Sequence, residues 1–352
     1  VSGLAFLVFT LLGVRAWLAV AISSSLKHSF AVGIGLFLAL IGLYQTGIVT
    51  SAAAGLPPEA LAGPGGLLRA PDVPLKIGDL GAPTSLLAIF GFLLMAVLMQ
   101  RRVRGAILLA VAATALLGSL LGHGETPRAI VALPFTGEWS LAPLFLKLDV
   151  TGVLRLSFVP VLLTLFLMGF LDTLGSLVGV GAAGGMLDEN GEFPEIEKPM
   201  LVDALSCTVA GLVGTTTSGA YIESASGIRE GARTGLAAVT TGSLFLLSLF
   251  FIPLIEPLQK LSYAYSPALV MVGLLMVSSV RQIDFEDLTE LVPSFVTILM
   301  MVFTYNIANG LTAGLTIYPL VKVAAGRARE VKPGAWALAA LCASYYLFGL
   351  PH

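Results

Sequence analysis

Charged side chains are scarce in this chain of 352 residues. Lys, Arg, Asp and Glu together make up 11% of it, whereas 57% is hydrophobic and the mean hydropathy is +0.94. Soluble domains carry roughly 25% charged residues, so this composition excludes an ordinary soluble protein. The charges fall between apolar runs of about 15–23 residues, a length that crosses roughly 30 Å of hydrocarbon as a helix. The sequence therefore predicts an all-α, polytopic membrane protein.

Residues that bind metals or perform nucleophilic chemistry are equally few. The two cysteines, Cys207 and Cys342, both lie in apolar runs, and the three histidines, His28, His123 and His352, are scattered. This pattern does not support a disulfide framework or a thiolate metal site. Because the chain also has no phosphate-cradling loop and no nucleophile motif, we expect no metal, no cofactor, no nucleic acid partner and no enzymatic activity.

The apolar runs can be assigned as membrane spans, although the chain begins at Val1 inside the first of them, and we expect it to be a fragment. The predicted spans are 1–22, 31–52, 85–99, 104–122, 157–180, 200–214, 235–255, 266–280, 291–307, 311–325 and 334–350. Short basic patches between spans favour the cytoplasmic side. They contain Arg101, Arg102 and Arg104; Arg229 and Arg233; Arg281; and Arg327, Arg329 and Lys332. These patches share one side only if the polar stretch 217–228 also crosses the membrane.

That stretch belongs to the sequence GTTTSGAYIESASGIREGARTG at 214–235. About twelve residues are too few to span as a helix that rises 1.5 Å per residue, so the crossing must be broken and partly extended. Irregular backbone at membrane depth occurs where protein buries it or where it lines a cavity, and transporters use broken helices of this kind to bind substrate. The alternatives are a re-entrant loop that only packs and a wide hydrated turn.

Two acidic residues support a binding site. Glu223 lies in the polar stretch, and Asp172 lies deep inside span 157–180. Intramembrane carboxylates are expensive and usually functional. Asp172 shares one helical face with small and polar residues, which leave room for a ligand or for close helix packing. That face contains Gly169, Asp172, Ser176, Gly179 and Ala183. The alternative for Asp172 is a cap on a neighbouring half-helix, and Asp203 is better explained as a partner to a helix end than as a ligand.

These motifs resemble the nucleobase:cation symporter-2 superfamily, and within it the AzgA-like hypoxanthine/guanine/adenine permeases. The resemblance rests on DTLGSL at 172–177 and TSGAYIESASGIREGARTGLAAV at 217–239, and extends to SLKHSFAVGIGLFLALIGLYQTGIV at 25–49. It implies a seven-plus-seven inverted-repeat transporter fold like that of the uracil and xanthine permeases. Here the fold would lack its first three helices and would have a short broken helix at the substrate site. The implied domains are 1–24, the core remnant of the first repeat; 25–155, its gate helices; 156–258, the second-repeat core with the substrate site; 259–327, its gate helices; and 328–352, a C-terminal apolar segment.

The resemblance also implies roles for particular residues. Asp172 and Glu223 match the two acids that bind the base, Ser176 occupies the position of a histidine in related uracil and xanthine permeases, and Gly169 stands where purine permeases often carry aspartate. We expect both acids to take part in proton coupling. The substrate-binding residues expected on this basis are Asp172, Glu223, Ser176, Thr173, Phe170, Gly219, Ala220 and Tyr221.

A nucleobase fits these residues chemically. Its flat edge offers N–H groups to a carboxylate and carbonyl groups to backbone N–H groups of a broken helix, and an intramembrane carboxyl can also take up a proton. The resemblance implies a multi-pass transporter of the cell (inner or plasma) membrane that imports purine nucleobases with protons, or with sodium ions, by an elevator-like motion. It also implies a homodimer in the lipid bilayer. The alternatives are an anion transporter of the same fold class, an uncoupled facilitator or channel, and a membrane-embedded enzyme or receptor.

Overall fold

The computed structural model describes residues 2–56, 74–124, 129–137, 140–153, 155, 158–188, 193–216, 219–221 and 224–348. Nearly all of the regular structure in these ranges is helical. The helices are α1 (Ser2–Leu11), α2 (Val14–Val20), α3 (Ser24–Gln45), α4 (Pro83–Gln100), α5 (Ala106–Leu120), α6 (Val150–Val153), α7 (Val159–Gly184), α8 (Glu197–Val213), α9 (Ser224–Arg229), α10 (Gly235–Ser248), α11 (Ile252–Lys260), α12 (Ser262–Val277), α13 (Leu288–Phe303), α14 (Ile307–Ala324) and α15 (Pro333–Phe348). Two short antiparallel strands, β1 (Val49–Ser51) and β2 (Leu75–Ile77), pair between α3 and α4.

The helices fit a membrane environment. Among the described residues, five helical segments are long and apolar enough to span a bilayer, and a bent pair near the start would make a sixth. The five are Ser24–Gln45, Pro83–Gln100, Gly235–Lys260, Ser262–Gln282 and Ile307–Ala324. Every span predicted from the sequence overlaps a helix, which confirms a multi-pass helical membrane protein.

The first predicted span, 1–22, is not one straight helix. It consists of α1 and α2, whose axes differ by 78°. The break falls at Gly13, whose φ of +70° is a left-handed conformation that favours glycine. Hydropathy alone could not reveal the bend, because both halves are apolar and the sequence contains no proline there.

Helix α3 begins earlier than the predicted span 31–52. The Ser23 hydroxyl accepts a hydrogen bond from the Leu26 N–H group at 3.3 Å and so caps the start of the helix. The polar residues of its first turns are buried inside the chain, Lys27 and His28 among them at 4% and 5% exposure. The prediction placed this start too late because it took polarity as a sign of a loop.

The chain divides into two compact units. One comprises residues 1–37, 133–245 and 276–352, and the other comprises residues 38–132 and 246–275. In the second unit, α4, α5 and α12 pack through small apolar side chains such as Ala88, Ala115 and Ala264. A further layer in this unit joins Met95, Ala110 and Met271.

Within the first unit, α13 and α14 form a tight antiparallel pair. A side chain at Gly314 would collide with the Thr297 hydroxyl, and one at Gly310 would collide with Met301, so these two glycines permit the close approach. The connection between the two helices is short, and the Asn306 side chain caps α14 by accepting from the Ala308 N–H group at 2.9 Å.

A cluster of charges joins the start of α13 to the end of α14. The Lys322 ammonium, only 2% exposed, lies 3.0 Å from Glu290, 3.1 Å from Glu330 and 3.7 Å from Asp287. Arg327 adds bonds of 2.7 Å to Asp287 and 2.6 Å to Glu330. Hydrogen bonds from Thr289 and Arg327 hold the pKa of Asp287 well below its usual range, and bonds from Arg327 and Lys322 lower the pKa of Glu330. These ion pairs hold the start of α13 against the end of α14.

Candidate functional site

The helix is interrupted after α8, as the sequence predicts. Gly214 ends α8 with φ +84°, and the Thr215 N–H group bonds back to the Ala210 carbonyl at 3.0 Å. The described residues 215–216 and 219–221 are not helical, and the short helix α9 begins at Ser224. The described part of this stretch therefore lacks the regular backbone hydrogen bonding of a continuous helix.

Helix α7 contacts its neighbours along the small-residue face. A Cβ at Gly169 would lie 2.8 Å from the Phe6 ring of α1, and one at Gly175 would lie 3.5 Å from Ile34 of α3. Phe6 thus fills the space that an aspartate at position 169 would need. An aspartate at position 169 would therefore clash with Phe6 in this chain.

A buried ion pair lies behind the interruption. The Arg15 guanidinium, fully buried in the first turn of α2, donates to Asp203 Oδ2 of α8 at 2.9 Å. The other Asp203 oxygen, Oδ1, accepts a 3.0 Å hydrogen bond from the Thr173 hydroxyl of α7. One carboxylate thereby links three helices. The expectation that Asp203 is a structural partner rather than a ligand agrees with these contacts.

The extended segment passes directly over this carboxylate. A methyl group at Gly219 would lie 3.6 Å from Asp203 Oδ1 and 4.0 Å from Thr173 Oγ1. The backbone of residues 219–221 therefore packs beside the part of α7 that carries Thr173 and, one residue earlier, Asp172.

The predicted site residues divide into several groups. Asp172 is exposed, Ala220 is half-buried, and Tyr221 is 58% exposed, so these side chains are accessible in the isolated chain. Thr173 and Ser176 are buried at 5% and 3%, and the Gly219 backbone is exposed.

Phe170 lies away from these residues. Phe170 is fully buried, and its ring lies against Phe166 and below the Arg15 guanidinium at 5.7 Å. It belongs to the aromatic layer between α7 and α1, whereas Asp172 is open. Glu223 lies outside the described residues, so its placement remains a prediction.

The arrangement combines an acceptor with potential donors. Asp172 offers carboxylate oxygens on one side, and the extended backbone near Gly219 offers N–H and C=O groups that no helix uses. Such a pair suits a small, flat, polar ligand with N–H groups along one edge. Among the described residues, no three His, Cys, Asp or Glu side chains are grouped to hold a metal ion.

Arg15 was missed by the sequence reasoning. It is a single arginine inside an apolar run, in LLGVRAWLAV, which is a signal as strong as an intramembrane acid. Searching the spans for cations as well as anions would have identified it, and pairing it with Asp203 would have required the fold.

The chain is similar in sequence to known permeases. The family model Xan_ur_permease, described as "Permease family", matches residues 1–312. The chain is 40% identical over 348 residues to a putative permease of Methanocaldococcus jannaschii, covering 99% of this chain and 74% of the relative. It is 35% identical to an adenine permease of Escherichia coli, with 95% and 70% covered. It is 34% identical to a guanine/hypoxanthine permease of Bacillus subtilis, with 99% and 74% covered.

Proposed function

The chain belongs to the permease family, and we propose that it imports purine nucleobases across the cell membrane by proton symport. It is a multi-pass membrane transporter and not an enzyme. Relatives named as adenine permease and guanine/hypoxanthine permease support a purine nucleobase as the cargo. The proposed location is the plasma or inner membrane.

One structural observation carries the substrate proposal. The open carboxylate of Asp172 lies one residue from Thr173, next to which the extended backbone at Gly219 passes. A purine presents N–H donors and carbonyl or ring-nitrogen acceptors on one rigid plane. Asp172 would accept an N–H group, and backbone groups of Gly219 and Ala220, which lie outside the helices, would pair with the remaining polar edge. Tyr221 offers a ring that can stack on the purine plane.

The two acids take different roles in this proposal. Glu223, assigned from the resemblance, binds the base, whereas Asp172 exchanges the coupling proton and also contacts the substrate. A carboxyl in a partly dehydrated site can change its protonation when the substrate enters, which couples the two movements. The two carboxyls would titrate as a coupled pair if they lie close together.

The transport cycle and assembly follow the same reasoning. We propose that the core segments 1–24 and 156–258 move against the gate segments 25–155 and 259–327 in an elevator-like step, with 328–352 as a peripheral helix. The seven-plus-seven inverted repeat and a homodimer that holds the gate fixed in the bilayer are parts of this proposal. An anion transporter of the same fold is disfavoured because Asp172 would repel an oxyanion from the extended segment.

Uptake by proteoliposomes containing the full-length protein tests this function. We expect saturable uptake of labelled adenine, guanine or hypoxanthine, stimulated at least about fivefold by an inward proton gradient, with uracil and sulfate as controls that are not accumulated. Accumulation of sulfate but not purines would support the anion alternative. Purine exchange at the same rate with and without the proton gradient would identify an uncoupled facilitator.

A further inference from the structure

A buried pair of opposite charges connects the break in the first span to the proposed substrate segment. Arg15 occupies the first turn of α2, two residues after Gly13. Its Nη1 donates to the Thr10 hydroxyl at 3.2 Å and to the Met200 carbonyl at 3.1 Å, while Nη2 donates to Asp203 at 2.9 Å. The guanidinium is thus anchored to both sides of the break and to α8.

Aromatic rings complete the environment of the guanidinium. Its central carbon lies 4.7 Å from the centre of the Phe6 ring and 5.7 Å from that of Phe170. Arginine stacks on such rings more readily than lysine because its charge is planar and weakly hydrated. The rings and the hydrogen bonds together hold the guanidinium group in place.

The ion pair is an unusual choice if only packing is required. Two charges inside a membrane protein lose much hydration, and apolar residues of similar volume are often as stabilising. An apolar pair, however, has no directional contacts and could not orient a carboxylate. In this chain Asp203 uses one oxygen for Arg15 and the other for Thr173, and the second oxygen is the one beside Gly219.

We propose that Arg15 is a positioning residue, which holds Asp203 so that its second oxygen fixes Thr173 and supports the extended backbone at 219–221. This inference rests on the proposed function in that the supported backbone is where the nucleobase binds. Arg15 does not touch the base in this arrangement. It raises the affinity for the base by holding residues 219–221 in the conformation that binds. Because Arg15 also bonds to Thr10 of α1, that conformation depends on the break between α1 and α2.

The experiment measures two properties of the full-length protein: its thermal stability and the accessibility of residues 219–221. Replacing the pair by apolar residues, in Arg15→Met/Asp203→Leu, should leave the melting temperature near that of the parent protein, because no charge remains unpaired. Arg15→Met alone should lower the melting temperature, since it leaves Asp203 buried without its cation.

The accessibility of the segment is then measured without any substrate. A cysteine is introduced by Ala220→Cys after both native cysteines are replaced by alanine, and its rate of reaction with a small maleimide is followed. We expect the rate to change at least about threefold in the apolar double variant, whereas a control cysteine at Ala232→Cys, in the turn after α9, should react at the same rate in both backgrounds.

A second variant keeps the ion pair and cuts only its link to α7. Thr173→Val removes the hydroxyl that donates to Asp203 and should change the Ala220→Cys rate in the same direction. In proteins without the introduced cysteines, calorimetry with hypoxanthine should give a Kd at least about tenfold weaker for the double variant.

The outcomes separate this inference from the proposed function. If labelling at position 220 and the Kd are both unchanged in a folded double variant, Arg15 only stabilises the fold and the inference is wrong. Unchanged labelling in Thr173→Val would also contradict it. If the parent protein binds no purine but labelling changes as expected, the positioning of the segment stands and the purine assignment fails.

Discussion

Lys322→Met should strongly destabilise the folded protein. The ammonium group of Lys322 is almost completely buried among three carboxylates, from Asp287, Glu290 and Glu330. Removing one partner of a buried ion pair typically costs about 3–5 kcal/mol, because the remaining charge stays dehydrated and unpaired. We expect the lower end of that range, because Arg327 still pairs with Asp287 and with the nearly half-exposed Glu330, so that Glu290 loses the most. Thermal unfolding in detergent, followed by tryptophan fluorescence or circular dichroism, would measure the change.

The matched control is Lys198→Met. Lys198 forms a 2.8 Å pair with Glu195, but both side chains are at least 70% exposed, so its loss should alter stability by less than about 1 kcal/mol. The deficit of Lys322→Met should also depend on pH. Hydrogen bonds from Arg327 and Lys322 lower the pKa of Glu330, so its pairs stabilise the protein above about pH 4 and lose this effect as the pH falls further. Equal effects of the two substitutions would contradict the role given to the cluster.

Asp172→Asn should abolish the response of uptake to a proton gradient. The substitution keeps the size of the side chain and one acceptor oxygen, but an amide cannot exchange a proton in the physiological range. We expect gradient-driven uptake of hypoxanthine in the full-length protein to fall at least about tenfold, while equilibrium binding weakens much less. Proteoliposome uptake with and without the gradient, beside calorimetry at two pH values, would separate the two quantities.

Two further variants define the specificity of that effect. Asp79→Asn alters an exposed aspartate in the loop before α4, whose side chain caps the turn at Gly81, and should leave uptake unchanged. Glu223→Gln should show the opposite pattern to Asp172→Asn, with binding weakened by about 1–3 kcal/mol because an amide donor would face the base. Full gradient-driven uptake by Asp172→Asn would remove the residue from coupling, and a reversed pattern would exchange the roles of the two acids.

The helical architecture was predictable because hydrophobic length is a local property. Each apolar run between charged patches coincides with a helix, and the interruption after Gly214 could be inferred from the number of residues available to cross a bilayer. The bend at Gly13 could not, since a glycine in an apolar run is compatible with a straight helix as well as with a break.

The site was predictable to a smaller extent. The sequence predicted that Asp172 and Thr173 lie on a helix. It could not predict that Thr173 bonds to Asp203 or that Asp203 pairs with Arg15, since Asp203 and Arg15 are separated by 188 residues. Phe170 illustrates the limit. The resemblance implied a place for it in the substrate site, yet it lies two residues before Asp172, a rotation of about 200° around the helix, and its ring packs against Arg15. Residues three or four positions apart share a helix face, whereas residues one or two positions apart do not.

Protection of one cysteine by substrate would test the central claim, that a purine binds where the extended segment passes α7. In the full-length protein with both native cysteines, Cys207 and Cys342, replaced by alanine, Ala220→Cys would be labelled with maleimide in the presence of hypoxanthine, guanine, adenine or uracil. The proposed site predicts that at least one purine slows labelling at position 220 at least about fivefold, that uracil does not, and that labelling of the control cysteine at Ala232→Cys is unaffected. Equal labelling of position 220 with and without every purine, in protein that still binds purine by calorimetry, would place the substrate elsewhere and contradict the proposed site.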